Sequence, residues 1–223
     1  MKKLKRRLVR ALNGWIPLES RFTAIYRTHK WKGGGEETRS GAGSTLEATN
    51  ILREQLPLLL EQLNARGLLD IGCGDFNWMK SVELPCPYHG VDIVPHVIAE
   101  NQSRFERPSV TFECKNAVDE AMPAGYDVIL CREVLFHLSF SDSFRMLGNF
   151  LESDARYLLL TTNIEATANK DIVSGEFRDI NLELIPYSFP PAERLVDDSA
   201  VAPGRSIGLW KASSVAAVLS KRS

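Results

Sequence analysis

The chain has 223 residues, 44% of them hydrophobic and 25% charged, with a formal net charge of −1. That suffices for one sizeable core, supplies no global charge to attract nucleic acid, and leaves no run of about 18 apolar residues to span a membrane. The four cysteines, Cys73, Cys86, Cys114 and Cys131, make no CxxC pair and have no histidine at zinc-ligand spacing, so no metal site is expected and a reducing, cytoplasmic setting is.

The charge is unevenly spread. Residues 1–12 hold Lys2, Lys3, Lys5, Arg6, Arg7 and Arg10 and no acid, which leaves the body acidic. Leu4, Leu8, Ala11 or Leu12, and Trp15 recur at helical spacing and predict a short basic amphipathic helix. Two readings stand for it: peripheral contact of residues 1–15 with the inner face of an anionic membrane, or an apolar stripe docked on the domain. A Gly-rich stretch follows, GGGEETRSGAGS at 33–44, which is either a linker or a lid over a site. Residues 1–45 are therefore expected as an N-terminal helix and lid, and 46–223 as the main domain.

Ser44 and Glu47 have the spacing of a capping box. The helix they announce would present an apolar face of Leu46, Ile51, Leu52, Leu56, Leu59, Leu60 and Leu63, with Pro57 as a kink or break. Strands are predicted at 67–71, 88–93, 110–114, 126–131 and 156–162, with helices near 78–82, 96–104 and 141–151. Strands alternating with helices predict an α/β fold, a parallel sheet covered on both faces. Two further strands, at 181–185 and 206–211, would make an antiparallel pair at one edge.

In such a sheet ligands bind beyond the carboxyl ends of the strands, where the strand order reverses. The first strand runs into Asp70-Ile71-Gly72-Cys73-Gly74-Asp75. Gly72 and Gly74 permit a sharp turn and close approach of a ligand to the backbone. The second strand ends at Asp92, about 20 residues on, where a carboxylate can accept from both hydroxyls of a ribose. A dinucleotide fingerprint needs a third glycine at 77, but the chain has Asp75-Phe76-Asn77. Those residues are poor neighbours for a pyrophosphate, which disfavours a nucleotide-dependent oxidoreductase. Acidic residues suit a cationic nucleoside instead.

LLDIGCGD resembles the first motif of the class I S-adenosylmethionine-dependent methyltransferases. GVDIVPHVIAEN, FECKNAVDEAMP, YDVILCREVLFHLS and RYLLLTTN agree with that family in order and spacing. WKGGGEETRSGAGS, DFNWM, CREVLFHLSF, GEFRDINLELIPYSFP and GLWKA together resemble a bacterial methyltransferase-like subgroup. The resemblance implies a Rossmann-like, doubly wound sheet of seven strands, mostly parallel with an antiparallel edge strand. It implies S-adenosyl-L-methionine as cofactor. Gly72, Cys73 and Gly74 would meet its methionine part, Asp70 would support the turn or meet its ammonium, Asp75 would be a further acid on the cofactor, Asp92 would hold its ribose, Ile93 its adenine, with Asn116 and Ala117 at the adenine edge and Cys131 and Arg132 near the methyl group. Asn116 stands where the family often has an acid.

The residues expected to do chemistry follow the fourth strand: Arg132, Glu133 and His137. His137 is read as a general base or as a core histidine under the cofactor. His29, Trp31, Arg39 and Asn163 are further site candidates, and Tyr187 and Phe189 would line an acceptor pocket or merely pack. CREVLF stands where an amino methyltransferase acting on nucleobases carries DPPY. The expected acceptor is a small polar molecule, methylated on oxygen, such as a sugar or glycan precursor. A protein acceptor and a non-catalytic binding protein are the competing readings.

Overall fold

The computed structural model describes residues 16–31 and 35–222; the basic helix expected within 1–15, and Gly33 and Gly34, lie outside them. Seven strands form one sheet: β1 Leu68–Ile71, β2 Tyr88–Asp92, β3 Val110–Cys114, β4 Val128–Cys131, β5 Tyr157–Asn163, β6 Arg194–Asp197 and β7 Arg205–Lys211. Their order is β3-β2-β1-β4-β5-β7-β6. The first five are mutually parallel. β7 is reversed, pairing antiparallel with β5 on one side and β6 on the other. The reversed strand thus sits one place in from the edge.

Every residue of β1 and β4 is buried, as a parallel sheet covered on both faces requires. Alternate residues go to opposite layers. Leu69, Ile71, Ile129 and Cys131 join one core, while Leu68, Val128 and Leu130 join the other. The first core includes Phe22, Ile25 and Tyr26 from α1, Leu18–Arg27, and Met146, Leu147 and Phe150 from α4, Phe140–Leu151. The second takes Leu52, Leu56, Leu59 and Leu60 from α2, Asn50–Gln62, and Ile98 from α3, Pro95–Phe105. α5, Ala212–Leu219, follows β7 and leads into a 3₁₀ turn, Ser220–Arg222.

Three local expectations are corrected. The capping box is not formed: α2 begins at Asn50, and Thr45 Oγ1, not Ser44, accepts the Ala48 amide at 3.2 Å. Residues 78–82 make only a single 3₁₀ turn, Met79–Ser81, too short a segment for a helix between β1 and β2. The strand expected at 181–185 is a run of turns, because side chains take its backbone groups. Asn169 Nδ2 donates to the carbonyls of Asn181 and Ile185, and Asn169 Oδ1 accepts the Asn181 amide. β6 supplies the pairing partner of β7 instead.

Candidate active site

Strand order reverses between β1 and β4, and a cleft opens beyond their carboxyl ends. At its base the chain leaves β1 through Gly72, whose φ is +76° and whose added Cβ would lie 2.3 Å from Val134 Cγ2. A side chain there would therefore be strained and would collide with the β4 loop. The amides of Gly72 and Cys73 both reach the Val91 carbonyl, at 2.7 and 3.1 Å, which ties the turn to β2.

Asp92 closes β2. Its Oδ2 accepts the Gly74 amide at 3.1 Å and its Oδ1 accepts the Val94 amide at 2.9 Å. Burial raises its pKa to about 6, against the pull of those amides. The carboxylate lines the cleft, and each oxygen keeps a second lone pair for a ligand hydroxyl. Ile93, Asn116, Ala117 and Val118 form the wall beside it. The Asn116 amide is half engaged: Nδ2 donates to Asp119 at 2.7 Å and Oδ1 accepts the Val118 amide at 3.1 Å. One N–H remains for a base edge.

The opposite wall comes from the loop after β4: Arg132, Glu133, Val134 and His137. Arg132 is buried and forked onto Asp198, with Nη2 2.7 Å from Oδ1 and Nε 3.1 Å from Oδ2. Burial opposes its charge, but Glu133 and Asp198 outweigh it and its pKa is raised. Glu133 stands at φ +59°, its amide on Thr161 Oγ1 at 2.8 Å. Arg205 Nη1, at 2.8 Å, and Arg132 Nη2, at 3.2 Å, hold its Oε1. This is a positive-φ residue kept in place by a buried ionic network.

His137 is differently placed. Its Nδ1 lies 2.8 Å from the Glu176 carbonyl. A carbonyl only accepts, so Nδ1 carries the proton and Nε2 carries the lone pair. Burial lowers the pKa, with the hydrogen bond to Glu176 opposing, so the ring is neutral near pH 7. Trp31 stacks on it at a centroid distance of 5.1 Å.

Of the residues expected from sequence, the cleft brings together Gly72, Asp92, Ile93, Asn116, Ala117, Arg132, Glu133 and His137, together with Trp31. Asp70, Cys73, Gly74, Asp75 and Cys131 stand behind its surface. Asp70 accepts from Tyr88 Oη at 2.8 Å, and burial raises its pKa to about 7. Cys73 and Cys131 are buried thiols whose pKa values burial pushes up. Asp75 faces the other way and latches the Gly-rich segment. It accepts from Thr38 Oγ1 at 2.8 Å, the Arg39 amide at 2.8 Å and Ser40 Oγ at 3.0 Å. His29 and Arg39 are exposed, and Arg39 pairs with Glu100 at 3.7 Å. Tyr187 and Phe189 are core residues, Tyr187 accepting from Arg178 at 2.8 Å.

Sequence reasoning missed the roof. Leu18, Phe22 and Tyr26 of α1 line the cleft, and Tyr26 Oη lies 2.9 Å from Ser40 Oγ. The spacing of Leu18, Phe22, Ile25 and Tyr26 was a usable helical signal. Asp198 and Arg205 were also missed, and no local pattern marks them.

A family model described as "Methyltransferase domain" matches residues 46–197. Comparison with curated proteins finds no match. Among solved structures, human N-acetylserotonin methyltransferase in complex with S-adenosylmethionine is similar over 88% of this chain and 60% of that one, at 16% identity and a TM-score of 0.61. Magnesium protoporphyrin IX methyltransferase from Synechocystis PCC 6803, with bound S-adenosylmethionine, is similar over 87% of this chain and 96% of that one, at 14% identity and a TM-score of 0.58. The N-methyltransferase NodS from Bradyrhizobium japonicum WM9 is similar over 73% and 93%, at 16% identity and a TM-score of 0.54. The chain spans only 60% of the length of the human enzyme, and at these identities the likeness is one of fold.

Proposed function

The chain belongs to the methyltransferase-domain family, and from that premise we propose that it transfers a methyl group from S-adenosyl-L-methionine to a small polar acceptor, in the first place a hydroxyl of a sugar or glycan precursor. The observation that carries this reading is the cleft itself, with the Asp92 carboxylate in one wall and the proton-accepting His137 in the other.

The residues present fit the cofactor. Asp92 offers lone pairs to a ribose diol, Ile93 and Val118 offer apolar contact to a flat base, and Asn116 offers its remaining N–H. The bare backbone at Gly72 lets a ligand lie against the turn. When bound, S-adenosylmethionine supplies a methyl group already activated by its sulfonium, so much of the protein's contribution is positioning. His137 holds its Nε2 lone pair ready for the proton that an acceptor hydroxyl must lose. Arg132 and Glu133 fix the loop that carries His137, and α1 with residues 38–44 excludes water. We assign residues 16–31 and 35–45 this covering role over domain 46–223.

The test is incubation with methyl-labelled cofactor, an extract of small metabolites and a separate extract of proteins. Label appearing in a neutral, base-stable small molecule supports the reading. Label only in protein, or tight cofactor binding with no transfer to either pool, contradicts it.

A further inference from the structure

Tyr26 reaches from α1 to the cleft and is buried there. Trp31 and His96 meet its ring edge to face, at centroid distances of 5.2 and 6.2 Å. Its hydroxyl lies 2.9 Å from Ser40 Oγ, and that distance alone leaves the donor open. The other partners of Ser40 settle it. Ser40 Oγ accepts the Asp75 amide at 3.1 Å and stands 3.0 Å from Asp75 Oδ1. A carboxylate only accepts, so the one Ser40 proton goes to Asp75, and the remaining Ser40 lone pair accepts from Tyr26. Burial, and after it the Asp92 carboxylate, push the phenol pKa up against the hydrogen bond to Ser40, so the phenol keeps the proton it donates.

The phenol oxygen then has only lone pairs left to offer a ligand, and it makes no other hydrogen bond among the described residues. It also stands over the turn that Asp92 holds. A Cβ added at Gly74 would lie 3.1 Å from Tyr26 Oη, and the Gly74 amide is the one that Asp92 Oδ2 accepts. The amides of Gly74 and Val94 are already spent on Asp92. A ligand between floor and roof therefore meets acceptors on both sides. A ligand carbonyl or phosphate at this point would face lone pairs and a negative charge. Two neighbouring hydroxyls would each find an acceptor.

We propose that Tyr26 is a cofactor-binding and specificity-determining residue: its oxygen accepts from one hydroxyl of the cofactor's ribose while Asp92 accepts from the other, so that roof and sheet grip the same diol. The proposal rests on the S-adenosylmethionine reading above and extends it from the sheet to α1. The ribose hydroxyl heads a chain of hydrogen bonds through Tyr26 and Ser40 to Asp75, which joins α1, the Gly-rich segment and the turn after β1. The roof is thereby tightened when the cofactor binds. A ribose that lacks this hydroxyl, or carries a phosphate on it, is rejected from above as well as from the sheet.

The test is calorimetry of the full chain and of Tyr26→Phe with S-adenosylhomocysteine and with its 2′-deoxy and 3′-deoxy forms. Phenylalanine keeps the ring and removes only the oxygen. Tyr26→Phe is expected to weaken S-adenosylhomocysteine binding about tenfold. It is expected to leave unchanged the affinity for one of the deoxy forms, which has already lost the hydroxyl in question. In the unaltered protein, hydrogen exchange at residues 22–27 is expected to slow with S-adenosylhomocysteine and to slow less with one deoxy form, a readout that does not depend on the variant folding. Tyr26→Phe affinity within about twofold of the unaltered protein, equal losses for all three ligands, or exchange that S-adenosylhomocysteine leaves unchanged overturns the assignment and leaves methyl transfer standing. Failure of S-adenosylhomocysteine to bind the unaltered protein removes the cofactor reading and this one with it.

Discussion

Asp92 is asked to be ionised where ionisation is disfavoured. Burial raises its pKa to about 6, against the pull of the backbone amides of Val94, Gly74 and Ile93, and whatever occupies the cleft also rewards its charge. Ligand hydroxyls donate to the ionised form, so S-adenosylhomocysteine affinity is expected to fall as pH drops through about 6, which calorimetry at pH 5 to 8 would read. The sign for stability is opposite. A folded-state pKa above the ordinary carboxylate value means the folded protein binds extra protons between about pH 4 and 6, so this group makes the ligand-free protein more stable on acidification across that window. At lower pH other carboxylates reverse the trend. Burial pushes Asp127 up, but hydrogen bonds from Arg156 and the Arg66 and Gly67 amides outweigh it and hold its pKa below the usual range. Its contribution is lost as pH falls through that depressed value. His137 gives a separate expectation. His137→Ala should lower turnover by roughly 10²- to 10⁴-fold with cofactor affinity unchanged, and an unaltered rate would remove it as base. At this scale the sequence revealed strand-end residues well and side-chain direction poorly. Asp70 and Asp92 were read alike, yet Asp70 shares the face of Leu68 and turns to Tyr88, while Asp92 turns to the cleft.

The elements over the cleft are held by few contacts, which is where function and stability meet. Residues 38–40 are pinned through Asp75, and Gly43 packs so closely that an added Cβ would sit 2.0 Å from Glu133 Oε1. Asp75→Ala removes the acceptor for three donors at once. Faster hydrogen exchange at residues 38–44 and a loss of about 1–3 kcal/mol are expected; unchanged protection would show that the segment is held by something else. The five parallel strands and the two helices at 96–104 and 141–151 were legible within a residue or two, because each buries a continuous or periodic apolar run. The strand expected at 181–185 failed because Asn169 and Asn181 compete for its backbone groups, a contest between segments that hydropathy does not register. The roof helix α1 was periodic enough to be found, but its docking on the cleft depends on contacts such as Arg21 to the Ser174 carbonyl at 2.6 Å, far along the chain.

Across the whole molecule, the doubly wound order creates the cleft and the reversed β7 supports it. Asp198, just past β6, and Arg205, at the start of β7, reach the loop after β4 and lock Arg132 and Glu133. None of this was visible in the sequence, since the four residues come together only when the sheet order places β7 beside β5. Removing one member strands buried charge, so Asp198→Ala is expected to cost roughly 3–5 kcal/mol in urea unfolding; a cost under about 1 kcal/mol would mean the network is solvated and marginal. Family, fold and the Asp92 side of the cleft were legible from motif and period, while the roof and the ionic lock required three dimensions.

The cleft beyond the carboxyl ends of β1, β2 and β4 is expected to hold a phosphate-free adenosyl ligand by way of Asp92. Isothermal titration of the protein and of Asp92→Ala with S-adenosylhomocysteine and with NAD tests it most directly. One-to-one binding of S-adenosylhomocysteine, weakened about tenfold or more by Asp92→Ala, with no heat from NAD, is the predicted result. Preference for NAD, or S-adenosylhomocysteine binding that Asp92→Ala leaves untouched, would contradict it.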